Sequence, residues 1–239
     1  MPRNQRSFPF TPTNWQTARV RSFERNNPII ARINAAIPDG ILLCPECGDI
    51  QQKTITDASA CVISCMDLRL RDNTPCFLSQ LGYKNIYDET SNAGASLGYM
   101  GVPDAKKNEE QQYPHWQTTC NDIIRLAEAL HHIEKVVLID HMHCGAFKVF
   151  RNTTLPDSEY PGSEAEYNDH VEMLNRARDQ ILATFGPNSP QYLADGVTPN
   201  PDHNMIQDVE TYIISVNGGA IVNTQKYTGS MPSNLVLYN

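Results

Sequence analysis

Residues 135–140, Lys135-Val136-Val137-Leu138-Ile139-Asp140, read as a short β-branched, apolar run closed by an aspartate. A second such run, Ala60-Cys61-Val62-Ile63-Ser64-Cys65, lies upstream. Runs of this kind show no polar–apolar alternation, so both faces must be covered, as in the strands of a parallel sheet. Between and after them the pattern turns helical. Ile123, Ile124, Leu126, Ala127 and Leu130 line a broad apolar face over about Thr118 to Ile133. Ser163-Glu164-Ala165-Glu166 is a capping-box signature, and Val171, Leu174, Ile181 and Leu182 continue that helix until Gly186-Pro187 stops it. A weaker strand is expected at Lys84–Tyr87, ending near Asn92-Ala93-Gly94, and a final strand pair, or a strand and turn, over Val209–Val216 and Ala220–Asn223. Residues 102–117 are polar and proline-flanked and read as a loop or insertion. Strands alternating with helices predict an α/β protein with a mostly parallel central sheet flanked by helices.

The chain divides by character at about residue 58. Six of its 16 prolines precede residue 46, so residues 1–57 are expected to be an N-terminal arm of loops. One short helix is expected there, capped at Asn27-Pro28 and stopped near Pro38-Asp39-Gly40. Residues 58–239 carry the expected catalytic domain. The arm holds Arg3, Arg6, Arg19 and Arg21 with no acid before Glu24 and no apolar h-region, which suits a solvated arm or an organellar transit peptide better than a secretory signal. A cytoplasmic, or alternatively organellar, protein is expected.

The 239 residues carry a formal net charge of −8 and no basic run, which argues against a nucleic-acid partner. No apolar stretch reaches the roughly 18 residues that a membrane helix needs. Seven cysteines are too few and too odd in number for a disulfide-stapled secreted domain, so they are read as core residues, metal ligands or catalysts.

The chemistry collects at the two strand ends. Cys65-Met66-Asp67-Leu68-Arg69 follows one strand, and an extended chain would set Cys65, Asp67 and Arg69 on one face. Asp140-His141-Met142-His143-Cys144-Gly145 ends the other. In a parallel sheet both lie at the carboxyl ends of strands, where open α/β sheets place their ligand crevice. Two thiolates and an imidazole make a natural three-ligand zinc set, with a fourth position left for water. His143 would point to solvent or pass protons, and Asp140 would form a turn or a hydrogen bond behind the ligands. Cys44-Pro45-Glu46-Cys47 looks like half a zinc ribbon without a second knuckle at the right distance. It is read as functionless, as a redox or accessory metal pair, or as a structural zinc site. Cys76 and Cys120 are expected as small apolar helix residues.

Cys-x-Asp-x-Arg at 65–69 with His-x-x-Cys-Gly at 141–145, and Asn92-Ala93-Gly94 between them, resembles the β-class carbonic anhydrases over roughly residues 58–223. The resemblance implies one zinc ion per chain on Cys65, His141 and Cys144. It makes Asp67 and Arg69 a catalytic dyad, and the reaction the reversible hydration of CO2 to bicarbonate by a zinc-bound hydroxide. It also implies a homodimer or higher homo-oligomer with active sites near the interface. Hydrolysis of COS or CS2 on the same site, and a catalytically silent zinc scaffold, are the alternatives. Ser91 stands where the family usually has arginine, Asp140 where glycine usually precedes the zinc histidine, and 76 positions separate the two motifs, more than expected. These departures mark a divergent branch.

Overall fold

The structure, a computed structural model, describes residues 58–84, 86–217 and 219–235. The expected N-terminal arm, its helix and Cys44-x-x-Cys47 lie outside the described residues.

Strand β1 is Ala60–Cys65, β2 is Tyr87–Asn92, and the two-residue strands β3, Pro103–Asp104, and β4, Glu110–Gln111, make a small hairpin. Strands β5, Lys135–His141, β6, Asp208–Ile214, and β7, Ile221–Asn223, complete the set. The helices are α1, Asn73–Gln80, α2, Ser96–Tyr99, α3, Pro114–His131, α4, Gly145–Phe150, and α5, Glu164–Phe185.

The main sheet has the order β2-β1-β5-β6-β7. β1 pairs in parallel with β2 and β5, β5 with β6, and only β7 runs antiparallel. The expected mostly parallel α/β sheet is therefore what the chain builds. From β1 the next strand in sequence, β2, lies on one side and β5 on the other, so the order reverses between β1 and β5, and a crevice opens at the carboxyl ends of strands at such a point. The register pairs Ser64 with Ile139, which brings the ends at Cys65 and His141 side by side.

The two apolar runs are covered on both faces. Val136 and Leu138 pack with Ile124 and Ala127 of α3 and with Leu174, Ala177 and Ile181 of α5. Val137 and Ile139 pack on the other side with Phe77 and Leu78 of α1 and with Phe147 of α4. Each such side chain, fully buried, is worth about 1.5–3 kcal/mol of transfer free energy, so the strands carrying the site motifs are the best anchored parts of the sheet.

Three details depart from the sequence expectations. The weak strand starts at Tyr87, because residues 81–84 are used in the turn after α1, where Gly82 has φ +92° and the Tyr83 amide donates to the Leu78 carbonyl. β2 is polar because it is an edge strand that pairs only with β1. Residues 102–117 are not an unstructured insertion: they hold the β3–β4 hairpin and the first turn of α3, which begins at Pro114, where a proline costs no helical hydrogen bond. Finally, the chain does not stay extended after Cys65, since Leu68–Leu70 is a 3-10 turn.

Candidate metal centre

Cys65 ends β1, His141 ends β5, and Cys144 follows three residues on as the N-cap of α4. All three are buried, and one ligand atom from each lies within 4.8 Å of the other two. Among the described residues this is the one group of three or more such side chains close enough to share an ion.

The orientation of His141 is informative. Its Nδ1 lies 2.8 Å from the carbonyl of Met142. A carbonyl only accepts, so Nδ1 is the donor, and in the neutral ring Nε2 carries the lone pair. That Nε2 is buried with no hydrogen-bond partner. A buried polar atom left without a partner is costly, and a lone pair facing two sulfurs fits a soft-to-borderline cation. The two thiols act as a pair: Cys144 donates to Cys65 and pulls it below the ordinary thiol range, against burial and with the Gly94 amide helping. Cys144 is correspondingly pushed up by Cys65 and by burial. The donor set, two sulfurs and one imidazole nitrogen, fits zinc.

The amide of Gly94 reaches Cys65 Sγ at 3.3 Å. Gly94 has φ +74°, and a Cβ there would sit 3.1 Å from Leu97 Cβ and 3.3 Å from Ala146 Cβ, so the close approach needs glycine. Next to it Ala95 takes φ 35°, a conformation L-residues rarely adopt.

Asp67 and Arg69 do meet, through the 3-10 turn and not through strand alternation. Asp67 caps that turn by accepting from the Arg69 amide at 2.9 Å. The guanidinium grips the same carboxylate, Nε on Oδ1 at 2.9 Å and an Nη on Oδ2 at 2.6 Å, and also donates to the His143 carbonyl at 3.0 Å. Arg69 therefore holds Asp67 well below the usual carboxylate range, down to about 2, against a smaller opposing effect of burial. Asp67 Oδ2 stands 3.8 Å from His141 Nε2. Met66 and Leu68, on either side of Asp67, are 57% and 82% exposed, and a shallow pocket lined by Ser64, Cys65, Leu70, Arg71 and Thr74 opens beside Cys65.

Two residues that sequence reasoning left out of the site stand behind it. Glu166, fully buried, accepts from the amides of Cys144 at 2.7 Å, His143 at 3.0 Å and Gly162 at 2.6 Å. Its charge survives burial because His170 and these amides outweigh the desolvation. His170, also fully buried, lies with Nδ1 3.0 Å from Asp140 Oδ2 and Nε2 3.8 Å from Glu166 Oε1. Burial alone would lower it, but the two carboxylates win and raise it to about 9. Asp140 accepts further from the Ser96 amide at 3.0 Å and the Ser96 hydroxyl at 2.5 Å. The capping-box spacing was the visible signal for Glu166, and His170 lies four residues on, one helical turn away.

His143, expected to face solvent, is half-buried with Nε2 covered. Ser91 sits 3.2 Å from the Ser64 hydroxyl, which donates to Glu89, so that position supplies no cation. Cys120 is buried in α3, but Cys76 on α1 is exposed. Among the described residues no helix is long and apolar enough to cross a membrane.

No family model matches the chain. Among solved structures, one of the tetrameric β-carbonic anhydrases of Sordaria macrospora overlays with a TM-score of 0.41 at 13% identity, over 87% of this chain and 96% of that one. The β-carbonic anhydrase CafA of Aspergillus fumigatus gives 0.35 at 13% identity, over 92% and 95%. In sequence, an uncharacterized protein of Rickettsia conorii is 35% identical over 133 residues, covering 56% of this chain and 64% of that protein. An uncharacterized protein of Rickettsia bellii is likewise 35% identical over 133 residues, which is 56% of this chain and 73% of that protein. With that much of a relative matched at that identity, this chain belongs to the same family as the uncharacterized Rickettsia bellii protein.

Proposed function

We propose that this protein is a zinc-dependent enzyme that hydrates CO2 to bicarbonate, with Cys65, His141 and Cys144 holding the metal and Asp67 and Arg69 governing the reacting water. The observation that carries this reading is the buried lone pair of His141 Nε2, which converges with two sulfurs beside an ionised carboxylate. Bound there, zinc would supply the Lewis acidity that makes water a nucleophile near neutral pH, more weakly with two thiolates than with three neutral histidines.

Asp67 supplies the direction. Held near 2, its carboxylate is too weak a base to store a proton at neutral pH, so its part is to accept a hydrogen bond from the reacting water and aim an oxygen lone pair at the substrate carbon. Arg69 occupies both carboxylate oxygens, which keeps Asp67 from swinging onto the metal. Because the same guanidinium holds the His143 carbonyl, the pair is tied to the turn that carries two of the ligands.

The test is zinc content and CO2 hydration on the full chain, with COS hydrolysis run beside it. About one zinc per chain is expected, falling sharply in Cys65→Ser, His141→Ala and Cys144→Ser. Asp67→Asn should keep the metal and lose about 10²–10⁴-fold in kcat. Zinc-replete protein with no CO2 rate above background at alkaline pH would refute the reaction. Full zinc content in all three ligand variants would refute the site.

A further inference from the structure

Glu166 begins as a helix-capping residue and ends somewhere else. In a capping box its carboxylate would accept the backbone N–H of the N-cap, Ser163. Half of that box forms, for Ser163 Oγ accepts from the Glu166 amide at 3.1 Å. The Ser163 amide, however, donates to the Tyr160 carbonyl at 3.0 Å. The carboxylate is thereby free of the Ser163 amide; it takes the Gly162 amide at 2.6 Å and, because first-turn side chains lean toward the helix N-terminus, also reaches across to the turn between β5 and α4.

That turn has an awkward shape. His143 sits at φ 60°, in the left-handed region, where a residue with a side chain is strained. This conformation folds the chain back after His141 so that Cys144 faces the same point as His141. It also aims the successive amides of His143 and Cys144 at one place, and Glu166 fills that place with both carboxylate oxygens, at 3.0 and 2.7 Å.

We propose that Glu166 is the positioning residue of the metal centre: its carboxylate clamps the strained His143–Cys144 turn and so sets Cys144 Sγ against His141 and Cys65. This rests on the reading that the three residues hold zinc. Glu166 touches neither metal nor substrate and acts only through the backbone amides. Removing its charge frees the turn to relax at His143, and the ligand set loses its preformed shape.

Zinc affinity of the full chain, by competition with a chromophoric chelator, and the absorption spectrum of the cobalt-substituted protein test this. Glu166→Gln, nearly the same shape, should bind zinc about 10–100-fold more weakly and shift the thiolate-to-cobalt bands. Adding His143→Gly to that variant should recover most of the affinity, because glycine takes a positive φ without strain. A general loss of packing would not be rescued this way. Affinity unchanged in Glu166→Gln, or no recovery in the double variant, overturns the proposal. If Glu166→Gln does not fold, amide hydrogen exchange in the unmodified, zinc-free chain decides. Slow exchange at His143 and Cys144 supports the clamp, and exchange at the rate of an open loop overturns it. Unmodified protein that takes up neither zinc nor cobalt would refute the metal reading instead, and the exchange measurement would still judge the clamp.

Discussion

His170 makes the fold sensitive to alkaline pH, and the size of the effect can be worked out. The imidazole is fully buried and faces Asp140 from β5, Glu166 from its own helix and the Phe147 ring, whose centroid lies 3.6 Å away. Its titration is raised from 6.5 to about 9 in the folded chain. A group raised in this way stabilises the fold fully below its unfolded value, and the contribution is lost as pH climbs through the folded value. The window is therefore pH 6.5 to 9. At about 1.4 kcal/mol for each pH unit, the contribution lost across it is about 3 kcal/mol. For a chain of this size that lowers Tm by roughly 6–12 °C. Thermal or urea melts of the reduced, zinc-free protein from pH 6 to 9.5, beside His170→Gln, measure it. The variant cannot take the charge, so it should start about 3–5 kcal/mol lower at neutral pH, with Asp140 and Glu166 left unpaired, and should lack the slope. The cysteine thiols titrate in both proteins and cancel in the comparison. Parallel curves for the two proteins, or a flat profile for the unmodified one, would refute the assignment of charge to His170.

Two further outcomes are expected. Gly94→Ala should cost about 1–2 kcal/mol of stability from the positive φ alone and weaken zinc binding, since the new Cβ pushes on Leu97 and Ala146 and moves the amide off Cys65 Sγ; equal melting and equal affinity would show that the contact is slack. Carbon-13 carboxyl titration should place Asp67 at about 2, with its share of stability present above 3.8 and lost as pH falls through 2. In Arg69→Ala the midpoint should move up toward the ordinary carboxylate range, and an unmoved midpoint would mean that Arg69 does not hold it.

The buried strands were legible because burial on two faces leaves no alternative to an unbroken apolar run, and that is what β1 and β5 show. Cys65 and His141 were legible because they end those strands, and Cys144 because it follows His141 by three positions. Strand β2 was misplaced because an edge strand needs no apolar pattern, and Tyr87–Asn92 is polar throughout apart from Tyr87. Asp67 and Arg69 were paired for a reason the structure replaces. Their meeting comes from a 3-10 turn capped by Asp67, which a period-two count does not contain. Glu166 and His170 were missed because their signal is local and their partners are not. The Ser-x-x-Glu spacing speaks only of a helix start, and two of the three amides that Glu166 serves lie more than 20 residues away.

Asp140 makes physical sense only together with those two residues. An aspartate fully buried one position before His141 would be expensive alone. Here it accepts from Ser96 twice and faces His170, so its lone pairs are used and its charge is opposed. His170 in turn lies between Asp140 and Glu166, and Glu166 ends on the amides of His143 and Cys144. Ser96 stands two residues after Gly94, whose amide touches Cys65 Sγ. One chain of polar contacts therefore runs from the β1 side of the cluster, through Ser96, Asp140, His170 and Glu166, to the turn that carries Cys144. Breaking such a buried network costs more than its net stabilising worth. Its value here lies in fixing the position of one side of the Cys-His-Cys cluster relative to the other. A glycine before His141 would offer no carboxylate to link the two sides in this way, so Asp140 is part of what joins them.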